Sequence, residues 1–99
     1  MGKSLQRKVR KLDLNKALGH CLSDLRHQAN MRQSDVGDAL RLDRALISKI
    51  ENGHRALDAT ELPDYARALG IEPEELFGLV MDIVVEYDGR LPEERHDRQ

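Results

Sequence analysis

The 99-residue sequence predicts an all-α fold of five short helices, and three observations carry that reading. Apolar residues recur three and four apart along most of the chain, the spacing that lines one face of a helix. Residues suited to helix starts, Asp13, Asn15 and Asp43, stand before such runs. Asn30, Gly53, Gly70 and Gly78 stand after them, where a left-handed residue ends a helix at little cost. A chain of this length makes one domain with a modest core.

The elements follow in order. Residues 1–12 form a basic arm carrying Lys3, Arg7, Lys8, Arg10 and Lys11. Leu5, Val9 and Leu12 would align in a short helical turn, and a disordered arm is the alternative. The first helix should begin near Asp13 or Asn15, with Leu18, Cys21, Leu22, Leu25 and Ala29 inward, and end at Asn30. The second spans about Gln33 to Leu40. A break at Arg41-Leu42-Asp43 leads to the third, Arg44 to about Asn52, with Ile47 and Ile50 inward and Gly53 as its stop. The fourth runs from about Glu61 to Leu69. Pro63 sits in its first turn, where a missing N–H is harmless. The fifth is short, Pro73 to Phe77, closed by Gly78.

Leu79–Tyr87 is a C-terminal extension with seven apolar residues in nine. As a helix it aligns Val80, Ile83, Val84 and Tyr87. As a strand it puts Leu79, Met81, Ile83, Val85 and Tyr87 on one face. Its β-branched content, with Gly78 before it and Asp88-Gly89 after it, favours the strand. Residues 91–99 are charged and read as a disordered tail.

Composition narrows the function. Only Tyr65, Phe77 and Tyr87 are aromatic, too few for a base-stacking RNA platform. Net charge is −2, but the halves differ. Residues 1–60 hold 12 Lys/Arg against 7 Asp/Glu, and residues 61–99 hold 4 against 11. The halves are thus +5 and −7, the asymmetry of a chain with one nucleic-acid-facing part. A single cysteine, Cys21, forms no internal disulfide and suits a reducing cytoplasm. No run reaches the roughly 18 apolar residues of a membrane span, and the basic start lacks the apolar run of a signal peptide. His20, Cys21, His27 and His54 fit no zinc-site spacing, so no metal or cofactor is expected. No nucleophile–base pair, phosphate-cradling glycine loop or HExxH run suggests an enzyme.

The second and third helices carry the functional argument. Each is too short to be stable alone. Packed across each other, they bury Ile47 and Ile50 and leave Arg44, Ala45, Ser48 and Lys49 projecting. A helix fits the major groove of B-DNA, where arginine reads guanine O6 and N7. Ala45 suits a thymine methyl. A solvated surface face is the alternative reading of Arg44 and Lys49.

The run Ile47-Ser48-Lys49-Ile50-Glu51-Asn52-Gly53, with Arg26 and Gln33 before it and Leu62-Pro63-Asp64-Tyr65-Ala66-Arg67-Ala68-Leu69-Gly70-Ile71 after it, resembles the XRE family of lambda-repressor-like and Cro-like helix-turn-helix proteins. The match spans about Leu18 to Phe77. The resemblance implies a five-helix DNA-binding domain over residues 13–78. It implies base reading by Arg44, Ala45, Ser48 and Lys49, and phosphate contacts from Gln33 and Asn52. Arg32, Arg41 and Arg55 are expected phosphate neighbours, and Arg26 with Glu51 a structural ion pair. Three positions depart from the family pattern. Arg32 replaces the usual Ser or Thr cap, Gly37 replaces a small inward alanine, and Arg41 replaces the turn glycine.

The resulting expectation is a dimeric, sequence-specific DNA-binding regulator acting as a repressor on a palindromic operator, with half-sites about 34 Å apart. Residues 79–90 are the candidate dimerisation segment, with Leu79, Met81, Ile83, Val85 and Tyr87 as its contacts. Packing of that segment on its own domain is the alternative. A second function class is an antitoxin, which would repress its own operon and hold a toxin protein.

Overall fold

The computed structural model describes residues 2–89, where helices are joined by turns and loops with no strand: α1 (Gly2–Gln28), α2 (Gln33–Leu40), α3 (Arg44–Glu51), α4 (Leu62–Leu69) and α5 (Pro73–Gly89). The tail expected at 91–99 lies outside the described residues. Every helix contributes to one core, made of Leu22, Val36, Ile47, Ile50, Tyr65, Ala66, Leu69 and Leu76. The molecule is elongated nonetheless. Its radius of gyration is 15.0 Å, against about 13 Å for a compact chain of this size. The cause is α1, whose 27 residues reach about 40 Å at helical rise.

The first four helices end in the same way. Asn30, Arg41, Gly53 and Gly70 all have left-handed backbone, with φ between 58° and 80°. After each, the next N–H returns to a carbonyl five residues back: Met31 to Arg26, Leu42 to Gly37, His54 to Lys49 and Ile71 to Ala66. This closure satisfies carbonyls that the helix leaves open. Only Arg41 does so with a bulky side chain and no polar atom near its backbone, so the turn between α2 and α3 keeps its geometry at a conformational cost. Arg41→Gly should therefore raise the unfolding free energy by up to about 1 kcal/mol in urea titration. A loss of stability would show that the Arg41 side chain holds the turn.

Two boundaries differ from the sequence reading. The first helix does not begin at Asp13 or Asn15; the basic arm is its first three turns. Residues 3–12 are mostly strong helix formers with no Gly or Pro among them. The end of α5 also packs on them. Arg10 pairs with Asp88 at 3.1 Å, its guanidinium lies 5.9 Å from the centre of the Tyr87 ring, and the Tyr87 hydroxyl donates to Asp13 at 3.2 Å. Asp13 thus accepts from α5 rather than capping a helix.

The second difference is the extension. The preference for a strand over 79–87 is overturned: α5 runs through Gly78, whose φ is not positive, to Gly89. Tertiary packing outweighs β-propensity here. As a helix the segment turns Val80, Ile83, Val84 and Tyr87 into half-buried positions. The strand face proposed for dimerisation is consequently divided. Met81 and Val85 stay exposed together with Phe77, while Leu79, Ile83 and Tyr87 are half-buried.

Candidate nucleic-acid interface

The interface candidate is built on α2, the turn at 41–43, and α3. Val36, Ile47 and Ile50 anchor both helices in the core. The rotation of α3 is thereby fixed, leaving Arg44, Ala45 and Lys49 exposed and Ser48 half-buried. The tight turn between α2 and α3 needs Gly37. A Cβ there would meet the Leu42 carbonyl oxygen at 2.5 Å.

Capping is unequal at the two helix starts. At α2, Arg32 has extended backbone and offers no side-chain cap. Asp35 supplies the reverse bond, its carboxylate accepting the Arg32 backbone N–H at 2.8 Å and pairing with the guanidinium at 3.3 Å. Those hydrogen bonds hold the Asp35 carboxyl below the usual carboxylate range. Half of a capping box thus survives the loss of Ser or Thr, and an acid at the third helical position was its signal in the sequence. At α3, Asp43 has cap geometry but makes no side-chain cap bond.

A polar chain runs from the core to the outward face. Arg26 donates to Glu51 through Nε at 2.7 Å and Nη2 at 3.1 Å, with both side chains buried. A further Arg26 N–H donates to the Met31 carbonyl at 2.8 Å. Gln33 Nε2 donates to Glu51 at 3.0 Å, and Gln33 Oε1 accepts from Arg44 at 3.0 Å. The chemistry fixes the direction of this chain. An ionised carboxylate only accepts, so the Gln33 amide must turn its NH₂ to Glu51 and its oxygen to Arg44. The second Nε2 hydrogen and the other Arg44 donors have no protein partner among the described residues. Motif reading named these four residues but not the link between the ion pair and the base-reading position.

Tyr65 lies in the core near the Arg26–Glu51 pair without hydrogen-bonding to it. It is fully buried, and its hydroxyl has no hydrogen-bond partner within the structure. Burial, reinforced by the Glu51 charge, pushes its phenol well above the ordinary value.

The remaining cations differ in availability. Arg32, paired with Asp35, and Arg41 are exposed, as is Asn52, whose amide lies 3.5 Å from Ser48 Oγ. Arg55 is committed within the chain, donating to both Glu61 oxygens at 3.2 and 2.9 Å. That pairing holds the Glu61 carboxyl below its usual range. Arg55 thus staples the loop between α3 and α4. Among the described residues no group of His, Cys, Asp and Glu is arranged to hold a metal ion, and no helix is long and apolar enough to cross a membrane.

Comparison with known proteins agrees with this geometry. A helix-turn-helix domain family model matches residues 17–77. The restriction-modification controller protein C.AhdI from Aeromonas hydrophila is 35% identical, the match covering 66% of this chain and 97% of that one, with a TM-score of 0.58. An XRE-family like protein from Pseudomonas syringae pv. tomato str. DC3000 is 26% identical over 83% of this chain and 95% of its own, at a TM-score of 0.64. The restriction-modification controller protein C.Esp1396I, solved as a tetramer in complex with its natural 35 base-pair operator, shares the fold at 24% identity, over 73% and 95% of the chains, with a TM-score of 0.63. Among curated proteins none matches the chain.

Proposed function

We infer that this chain, which belongs to the XRE-type helix-turn-helix domain family, is a dimeric, sequence-specific DNA-binding transcriptional regulator that represses by occupying an operator. The observation that carries this reading is the Arg44 guanidinium, exposed at the start of α3 and held by Gln33, which is itself held by a buried ion pair. A side chain aimed in advance loses less freedom on binding. Inserted in the major groove, Arg44 would read guanine O6 and N7, Lys49 and Ser48 neighbouring edges, and Ala45 a thymine methyl. Arg32, Arg41, Asn52 and the free Gln33 hydrogen would meet phosphates, which set register rather than sequence. The 35% identity with a restriction-modification controller makes genes of such a system the first targets to examine, in the cytoplasm where they are read.

Selection of bound duplexes from a random pool tests the reading, and should return a palindrome with half-sites one turn apart. On that sequence, Arg44→Ala should cost about 1–3 kcal/mol and relax preference at one position per half-site. Gln33→Ala should weaken all sequences and also loosen the preference at the Arg44 position. A wild-type chain that ignores duplex DNA at low salt would overturn the reading. A second small protein co-purifying in fixed ratio would instead point to an antitoxin.

A further inference from the structure

Among the described residues, the Tyr65 hydroxyl is the buried side-chain polar group without a hydrogen-bond partner. The ring fills the core beside Leu22 and Ile50 with no exposure, and a phenylalanine would fill the same space. The hydroxyl therefore needs its own explanation, because a polar group taken from water and left unpaired opposes folding. The charges of Glu51 and Arg26 both act on its ionisation, which sets it beside the ion pair. Burial and the Glu51 charge keep the phenol protonated, so it has a hydrogen to donate.

The ion pair has matching capacity to spare. A carboxylate offers about four acceptor sites. Glu51 uses three: Oε1 accepts from Arg26 and Gln33, and Oε2 from Arg26 alone. A guanidinium has five N–H donors. Arg26 uses three, two on Glu51 and one on the Met31 carbonyl. One acceptor site on Glu51 Oε2, the remaining Arg26 hydrogens and the Tyr65 hydrogen are thus left over in one neighbourhood. The hydroxyl does not bond to the carboxylate directly. A water molecule joins such groups: it accepts from Tyr65 and from Arg26 and donates to Glu51. Three bonds to otherwise unsatisfied polar groups are the usual complement of a buried water.

We propose that one internal water links the Tyr65 hydroxyl to the Arg26–Glu51 pair, which makes Tyr65 a positioning residue for base reading by Arg44. The link ties α4 to α1 and α3. Through Glu51 it reaches Gln33 on α2, and through Gln33 the Arg44 guanidinium. Its loss frees one Glu51 oxygen while Gln33 holds the other, so base reading is blunted rather than abolished. The positioning role rests on the reading of the chain as a sequence-specific DNA-binding regulator; the water site does not.

Tyr65→Phe in the full chain tests both parts, since it removes the hydroxyl and keeps the ring. In urea unfolding the folded-to-unfolded ratio should fall about tenfold. An unpaired hydroxyl predicts the reverse, a ratio unchanged or raised. In the Arg26→Met/Glu51→Leu background the same substitution should lose nothing, because the water has lost two of its three partners there. On the selected duplex, Tyr65→Phe should lower the preference at the Arg44 base position about threefold. Preference elsewhere in the half-site should stay as it is, and the effect should vanish in an Arg44→Ala protein. A mere core defect would reduce stability without singling out one base position. Three results would overturn the proposal: Tyr65→Phe at least as stable as wild type, an equal loss in the background without the ion pair, or a loss of stability with the Arg44 preference intact. A wild-type chain that binds no duplex would remove the regulator reading and the positioning role with it, while the unfolding comparison still decides the water site.

Discussion

Arg26→Met is expected to lower the unfolding free energy by about 3–5 kcal/mol, the largest loss from any single side-chain truncation outside the apolar core. Its partner explains the size. The Glu51 side chain is only 5% exposed and accepts two Arg26 hydrogen bonds. Without Arg26 it keeps one neutral donor, Gln33, too little to offset an ionised carboxylate away from water. The Met31 carbonyl, just past the end of α1, loses its Arg26 side-chain bond as well. Adding Glu51→Leu should return most of the loss, because apolar residues often replace a buried ion pair at little cost. Denaturant unfolding of the two single variants and the double variant yields the coupling. An Arg26→Met protein within about 1 kcal/mol of wild type would mean that the pair is far better solvated than its burial indicates. The double variant separates stability from function. With Glu51 gone, Gln33 is no longer oriented, so a well-folded double variant should still read the Arg44 base position less sharply.

The same network shows where sequence reading succeeds and where it stops. Local rules suffice for α3 and α4, which are bounded by residues with strong backbone preferences such as Gly53, Pro63 and Gly70, and for α2 through its apolar spacing, since Arg32 and Arg41 at its ends carry no such preference. They fail at the two ends of the chain for one shared reason. The helicity of residues 2–12 and of 79–89 depends on their mutual contact, Arg10 with Asp88 and Asp13 with Tyr87, pairs more than seventy residues apart. No window of sequence contains such a pair. Gly78 therefore looked like a stop although its backbone remains helical, and Asp13 looked like a cap although it accepts from Tyr87. At the site, the family resemblance supplied Arg26, Gln33, Arg44 and Glu51 singly. Their order in one hydrogen-bonded chain depends on where α1, α2 and α3 meet in space. Arg55 shows the converse. Its charge and position suggested a phosphate neighbour, and only the fold reveals Glu61 beside it.

Gly53→Ala is expected to cost about 2–5 kcal/mol, and Gly70→Ala only about 1–2 kcal/mol, although the two glycines have nearly the same backbone. Their φ values are 80° and 79°, so an alanine meets the same conformational penalty at either site. The space differs. A Cβ on Gly70 would have nothing within 4 Å, whereas one on Gly53 would lie 2.8 Å from the Lys16 Cα and 2.9 Å from its nitrogen. Those are backbone atoms of α1 and cannot swing aside as a long side chain would. The same junction is tight one turn along α1, where a Cβ on Gly19 would meet the Glu51 carbonyl oxygen at 2.5 Å and the Ile50 carbonyl oxygen closer still. Relief at Gly53 therefore requires α1 and the end of α3 to separate, which pulls Glu51 from Arg26 and Gln33 and loosens the base-reading helix. The difference between the two alanine variants in urea unfolding measures how firmly α1 sets the position of α3. Equal losses would show that α1 yields at this junction, and that the orientation of Arg44 is held by α2 and Gln33 alone.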